Sequence, residues 1–145
     1  MRRCRRTPTL AAMETLPSSA ADRRSTGVRS VLLVDNASVL PGLTRLISGE
    51  APRLRLAGAT ECTVQALGIA AAQCPDVIVA DVFRPGRDGL AALAQLLQAG
   101  RPVVVLTCSD DATTRALALG AGAHSLVSKL SPACELLAAI DAAGC

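Results

Sequence analysis

An α/β domain built on a five-stranded, doubly wound parallel sheet in three layers is the fold class this sequence predicts, and three observations predict it. Short β-branched or aliphatic runs alternate five times with longer Ala/Leu-rich stretches of helical character. The short runs are almost unbroken in apolar residues, as strands buried on both faces require. The chain has 145 residues, which suffices for one domain of ordinary size and not for two well-packed ones.

The elements follow in order. SVLLV (30–34) predicts the first strand and 38–50 the first helix. LRLAGA (54–59) and DVIVA (76–80) predict the second and third strands, with helices over 62–73 and 88–99 behind them. PVVVL (102–106) precedes a helix over 111–120, and HSLVS (124–128) precedes one over 131–143. Gly100 follows the third helix, and Gly120 and Gly122 the fourth, where left-handed backbone closes a helix most easily. Ser131 and Pro132 are expected to open the last helix as cap and first-turn proline.

Residues 1–27 stand apart and are expected to form a disordered basic leader, with the domain occupying 28–145. They hold Arg2, Arg3, Arg5, Arg6, Arg23 and Arg24 against Glu14 and Asp22, a net of +4, whereas 28–145 sums to −1. The formal charge of +3 therefore belongs to the leader, and a nearly neutral body is a poor electrostatic footprint for nucleic acid. Glu14 and Pro17 interrupt the apolar stretch behind the paired arginines, so no secretion signal is read, and Met13 is an alternative start. No stretch is long enough in apolar residues to span a membrane.

Composition excludes more. One Phe, no Tyr and no Trp remove functions that rest on aromatic stacking, among them RNA-recognition modules and aromatic flavin sites. The cysteines at 4, 62, 74, 108, 134 and 145 include no C-x-x-C pair, and the single histidine, His124, is isolated from them in sequence. Reduced, mostly buried thiols and a cytoplasmic setting are expected, and His124 reads as a strand or loop residue.

In a parallel sheet, chemistry sits outside the carboxyl ends of the strands. There the first strand offers Asp35 and Asn36, the third Asp81, the fourth Thr107 and the fifth Lys129. Carboxylates with a neutral carbonyl suit a hard cation such as Mg2+, and a Lys with a hydroxyl suits phosphoryl oxygens. Asp81, central in the set, is then a candidate nucleophile that forms an aspartyl phosphate. Each residue alone is as well explained by a helix cap or a solvated side chain; the set of four strand ends carries the inference.

These residues resemble the response-regulator receiver domain (CheY-like) from about Val31 to Ile140. The resemblance is carried by VLLVDN (31–36), DVIVADVFRPGRDGL (76–90), VVVLTCSDD (103–111), GAGAHSLVSK (120–129) and SPACELLAAI (131–140). The wording around Lys129 is similar to NarL-type receivers, which usually continue into a helix-turn-helix domain; with the chain ending at Cys145, no such output domain is expected. The resemblance implies the strand order 2-1-3-4-5 and phosphorelay signalling. Asp81 would be the phosphoacceptor for a histidine kinase or phosphotransfer protein. Asp35, Asn36, Asp81 and the main-chain carbonyl of Phe83 would hold Mg2+, and Thr107 and Lys129 would bind the phosphoryl group. Cys108 falls where the family favours a small residue, a place a small buried hydrophobe would fill as well. Output would pass to a downstream protein, or through a homodimer, by way of the fourth helix, fifth strand and fifth helix. No enzymatic activity beyond slow autodephosphorylation, no direct nucleic-acid contact and no membrane contact are implied.

Two departures bear on mechanism. Asn36 stands where the family has a second acid; a unit charge near 4 Å is worth about 4 kcal/mol at an effective dielectric near 20, so weaker Mg2+ binding or slower phosphorylation is expected. Leu126 stands where the family places a Tyr or Phe ring that swings with the Thr, so that switch is absent. A phosphorylation-independent interaction module is the rival reading, and a receiver truncated from a DNA-binding regulator a third. Haloacid-dehalogenase chemistry fails because Ala37 occupies the place of its second Asp, and NASVLPG (36–42) does not make a flavodoxin phosphate loop. Phe83 and Arg84 are unusual in the loop after Asp81, and drift on an exposed loop is the expected reason.

Overall fold

A computed structural model describes residues 27–144. The leader expected over 1–27 lies, apart from Gly27, outside the described residues, as do Met13, Cys4 and Cys145. The chain runs β1 (Arg29–Val34), α1 (Leu40–Ser48), β2 (Leu54–Thr60), α2 (Thr63–Gln73), β3 (Val77–Ala80), α3 (Gly89–Leu97), β4 (Val103–Thr107), α4 (Ala112–Ala121), β5 (Ser125–Ser128) and α5 (Ala133–Ala143). The five strands form one parallel sheet in the order β2-β1-β3-β4-β5, as expected. The chain therefore reverses direction of travel across the sheet after β2. The residues beyond β1 and β3 become neighbours at that switch point.

Alternation along each strand sorts the core into two layers. Leu32, Val34, Ile78, Ala80, Val103 and Val105 face Ala66, Ala70, Leu93, Leu96 and Ala118, which come from α2, α3 and α4. Val31, Leu33, Val77, Val79, Val104 and Leu106 face Ile47, Leu136 and Ile140, from α1 and α5. The largest fully buried side chains are all Leu, Ile or Val, so aliphatic packing replaces the rings this composition lacks. Small residues let the helices approach: a Cβ on Gly58 would stand 2.8 Å from Ile69 Cγ2, so α2 packs on β2 only because that position is glycine. The register slips by one between Val31 and Leu32, pairing Leu56 and then Gly58 with them, a bulge that the sequence does not announce.

The helix ends revise several expectations. α1 was expected over 38–50 and spans Leu40–Ser48, entered through a turn at 37–39. Pro132, not Ser131, occupies the cap position of α5, and its extended backbone makes no side-chain cap. α3 and α4 are capped instead by Asp88, which accepts from the Ala91 N–H at 3.0 Å, and by Asp111, which accepts from the Thr114 N–H at 2.8 Å. Gly122 closes α4 in the left-handed region with φ +117°, whereas Gly120 lies within the helix. The expectation of buried, reduced thiols is also corrected. Cys62, Cys108 and Cys134 are free but exposed, and Cys74, buried behind α2, is disulfide-bonded. Among the described residues no helix is long and apolar enough to cross a membrane.

Candidate functional site

Three of the site residues sit one step beyond their strands, each held by a rung that extends the ladder. The N–H of Asp35 donates to the Thr60 carbonyl at 3.1 Å and that of Asp81 to Val34 at 2.8 Å; the Lys129 N–H donates to Thr107 at 2.9 Å. Sheet hydrogen bonding thus sets the backbone from which the charged side chains project. Thr107 is itself the last residue of β4. The sequence places all four at strand ends, and the fold puts those ends on one edge.

The side chains converge. Lys129 Nζ donates to Asp81 Oδ2 at 2.6 Å and to Asp35 Oδ1 at 3.0 Å, and it stands 3.0 Å from Asp35 Oδ2 without alignment for a bond. Asp35 is 1% exposed and Asp81 6%, so two carboxylates share one ammonium in a nearly dry setting. Burial by itself would lower the Lys129 pKa, but the bonds to Asp81 and Asp35 outweigh it and raise it above the usual lysine value. Asp35 Oδ2 and Asp81 Oδ1 are buried and accept no hydrogen bond among the described residues. Two anionic oxygens without donors are the feature a cation would satisfy, and they are hard donors of the type Mg2+ prefers. Among the described residues no group of three or more His, Cys, Asp or Glu stands together. Any metal here would therefore rest on this carboxylate pair and main-chain oxygen.

Neither strand-end acid is used as a cap. Asp35 Oδ1 accepts from the N–H of Asn36 at 2.7 Å besides Lys129, and among the described residues the Asp81 side chain accepts from Lys129 alone. Thr107 is fully buried, and its Oγ1 accepts from the Ser109 N–H at 3.0 Å, which turns the loop after β4 and leaves the hydroxyl proton to be donated elsewhere.

The remaining expected residues divide. Asn36 does not point its amide oxygen into the carboxylate pair; Oδ1 accepts from the Ser38 N–H at 3.1 Å, the Val39 N–H at 3.2 Å and the Ser38 hydroxyl. Phe83 is half-buried, and its ring lies where a Cβ on Gly89 would collide with it. The loop is exposed as expected at Pro85, Gly86, Arg87 and Asp88, but Arg84, like Phe83, is half-buried, and among the described residues its Nε and Nη2 find no hydrogen-bond partner. Cys108 is exposed beside Thr107, which excludes the buried-hydrophobe account of it. Leu126 is 4% exposed within the core layer under α4, packed with Val105, Ala118 and Ala123.

One structural contact near β5 was not read from the sequence. Arg115 on α4 donates through Nη1 to the carbonyl of Leu126 at 3.2 Å and so ties α4 to β5 beside the position where the ring is absent. Nothing in the sequence marks it, because a long side chain reaching a main-chain oxygen leaves no spacing motif. On the opposite face, an apolar cavity of about 370 Å³ opens between α1 and α5, where Val39, Leu43, Leu106, Pro132 and Leu136 flank Lys129.

Comparison with known proteins places these features in context. Residues 31–141 match the family described as the response regulator receiver domain. A protein-glutamate methylesterase/protein-glutamine glutaminase of Pseudomonas syringae pv. tomato is 36% identical over 127 residues, covering 79% of this chain and 35% of that protein. The chain thus spans about a third of that relative's length. Among solved structures, the response regulator domain of Thermotoga maritima CheB is 27% identical with a TM-score of 0.69, covering 81% of this chain and 96% of that one. The receiver domain of NarL from Mycobacterium tuberculosis shares the fold, at 24% identity and a TM-score of 0.69, over 80% of this chain and 95% of that one.

Proposed function

The chain belongs to the response regulator receiver domain family, and from that premise we propose that Asp81 accepts a phosphoryl group from a histidine kinase or phosphotransfer protein. The observation that supports this reading best is the Lys129 ammonium held between Asp35 and Asp81, with one oxygen of each carboxylate left without a donor at the sheet edge. An Asp81 oxygen attacks phosphorus in line, the bond from phosphorus to the donor's nitrogen breaks, and the departing imidazole takes up a proton. Lys129 keeps its charge against the phosphoryl oxygens as they arrive, and the Thr107 hydroxyl, one strand away, turns its proton toward them. Asp35 and Asp81, with the main-chain carbonyl of Phe83, would hold Mg2+, which supplies positive charge against the phosphoryl oxygens when bound.

The signal would leave through α4, β5 and α5, toward a downstream protein or a second copy of the chain, in the cytoplasm and without direct contact to nucleic acid. Leu117 and Leu119 are exposed on α4 and suit such a contact. The methylesterase activity in the relative's name belongs to that protein; here the proposal is confined to phosphoryl acceptance and docking. A second reading, a docking module that works without phosphorylation, is favoured by the turned-away Asn36 amide and the aliphatic Leu126.

Intact mass after exposure to acetyl phosphate and Mg2+ separates the two. A phosphoryl adduct on the wild type, absent from Asp81→Asn, is the expected result. No adduct under conditions that label an ordinary receiver would leave the docking module as the better account.

A further inference from the structure

We propose that Asn36 is the N-terminal cap of α1 and not a ligand of the cation, so that Asp35 and Asp81 are the only side chains holding it. The inference rests on the receiver reading of the site and specifies its metal chemistry. The Asn36 main-chain carbonyl accepts from the N–H groups of Val39 and Leu40 at 3.0 and 3.1 Å, the pattern of a first helical turn begun at Ala37. Its Oδ1 accepts from the N–H groups two and three residues on, at Ser38 and Val39. That is the bonding of an asparagine N-cap: it satisfies the Ser38 N–H at the helix end and shares the Val39 N–H with the Asn36 main-chain carbonyl. Val39, the residue directly before Leu40, has no side-chain acceptor to offer. The Ser38 hydroxyl adds a third donor to the same oxygen.

An amide oxygen already accepting from three donors has little electron density left for a metal. Turning it toward Asp81 would uncap the turn that carries Val39, and with it the wall of the cavity beside Lys129. Asp35 Oδ2 and Asp81 Oδ1, which accept no hydrogen bond among the described residues, are the oxygens that remain. With Lys129 already set against both acids, three charges sum to one negative, which makes for a weak cation site. Asn36 therefore acts as a positioning residue: it sets where α1 begins and lends the site no ligand.

The full chain is titrated with Mg2+ and followed by backbone amide NMR shifts, since no tryptophan is available to report by fluorescence. Thermal melts accompany each titration, for the wild type, Asn36→Ala and Asn36→Ser. The expected result is a Mg2+ Kd within about twofold of wild type for both variants, well short of the roughly tenfold or larger loss that removing a metal-supporting group brings. Asn36→Ala should melt about 4 °C lower, and Asn36→Ser, whose hydroxyl can still cap, close to the wild type. If Asn36→Ala does not fold, Asn36→Ser decides alone. A loss of about tenfold or more in Mg2+ affinity for Asn36→Ser, with its melting temperature kept, would overturn the proposal and make Asn36 a ligand. A wild type whose amides do not respond to Mg2+ overturns it together with the phosphoacceptor reading, an outcome distinct from the first.

Discussion

Lys129 stands between two buried carboxylates. Its side chain is 15% exposed, and both of its partners are almost wholly buried. A buried ion pair adds little over a well-packed apolar replacement of both partners, but removing one partner strands the other's charge. Here one ammonium serves two carboxylates, so its loss strands two. Lys129→Met should therefore lower stability by about 3 kcal/mol, and Mg2+ should restore more of it in the variant than in the wild type, because a cation that binds the folded state alone stabilises it by mass action. Urea titrations with and without Mg2+ measure both effects; a variant as stable as the wild type would mean the carboxylates are solvated after all. The four residues Asp35, Asp81, Thr107 and Lys129 were legible in the sequence because each ends an apolar run, and the fold makes strand ends neighbours. Asn36 was legible as a residue and not as a role. Whether its oxygen faces a cation or a helix end depends on the turn at 37–39, which no periodicity reports. Arg115 was invisible for the same reason, its partner being a main-chain carbonyl.

Among the elements, strands were read more closely than helix ends. A strand announces itself by an unbroken apolar run, and each observed strand lies within about two residues of the expected one. Helix ends depend on which side chain reaches which N–H, and there the sequence offered competing candidates. Cys74 closes α2 at φ +46°, a left-handed position with no glycine to mark it, and Pro132 displaces the expected serine cap. Asp111 is the clear cap. Its two oxygens take the Thr114 N–H and hydroxyl at 2.8 and 2.9 Å, and these bonds hold its carboxyl below the usual value of 3.8. A folded-state pKa below the unfolded one stabilises the fold above the unfolded value, and that gain is lost as pH falls through the folded one. Asp111→Ala should accordingly be less stable than the wild type from neutral pH down to about 3.8, with the gap closing at more acid pH. Asp111→Asn keeps a capping oxygen but cannot titrate, so its melting temperature should rise relative to the wild type's on acidification. Melts of the three proteins across that range would refute the assignment if the wild type and Asp111→Asn ran parallel.

At the scale of the whole molecule, the fold was legible because its two core layers are aliphatic and sorted by strand alternation, which leaves helices on both faces as the only way to bury them. The bulge in β2 and the Gly58 contact beneath α2 were not, since both arise from how closely two elements approach. Charge divides the sequence into two unlike parts. The net +4 of residues 1–27 sits beside a body of −1, so the formal +3 of the chain describes neither part. Polyanion binding depends on how many cations displace counterions and how densely they are placed, not on the sum over a chain. Any affinity for heparin or duplex DNA should therefore reside in Arg2, Arg3, Arg5, Arg6, Arg23 and Arg24 and fall steeply with salt. Replacing these six by Gln in the full chain should abolish retention on heparin at low salt while leaving the melting temperature and the acetyl phosphate adduct on Asp81 unchanged. Retention that survived the replacement would place a basic surface on the receiver itself and reopen nucleic acid as a partner. A melting temperature that dropped would show that the charges of residues 1–27 bear on the domain.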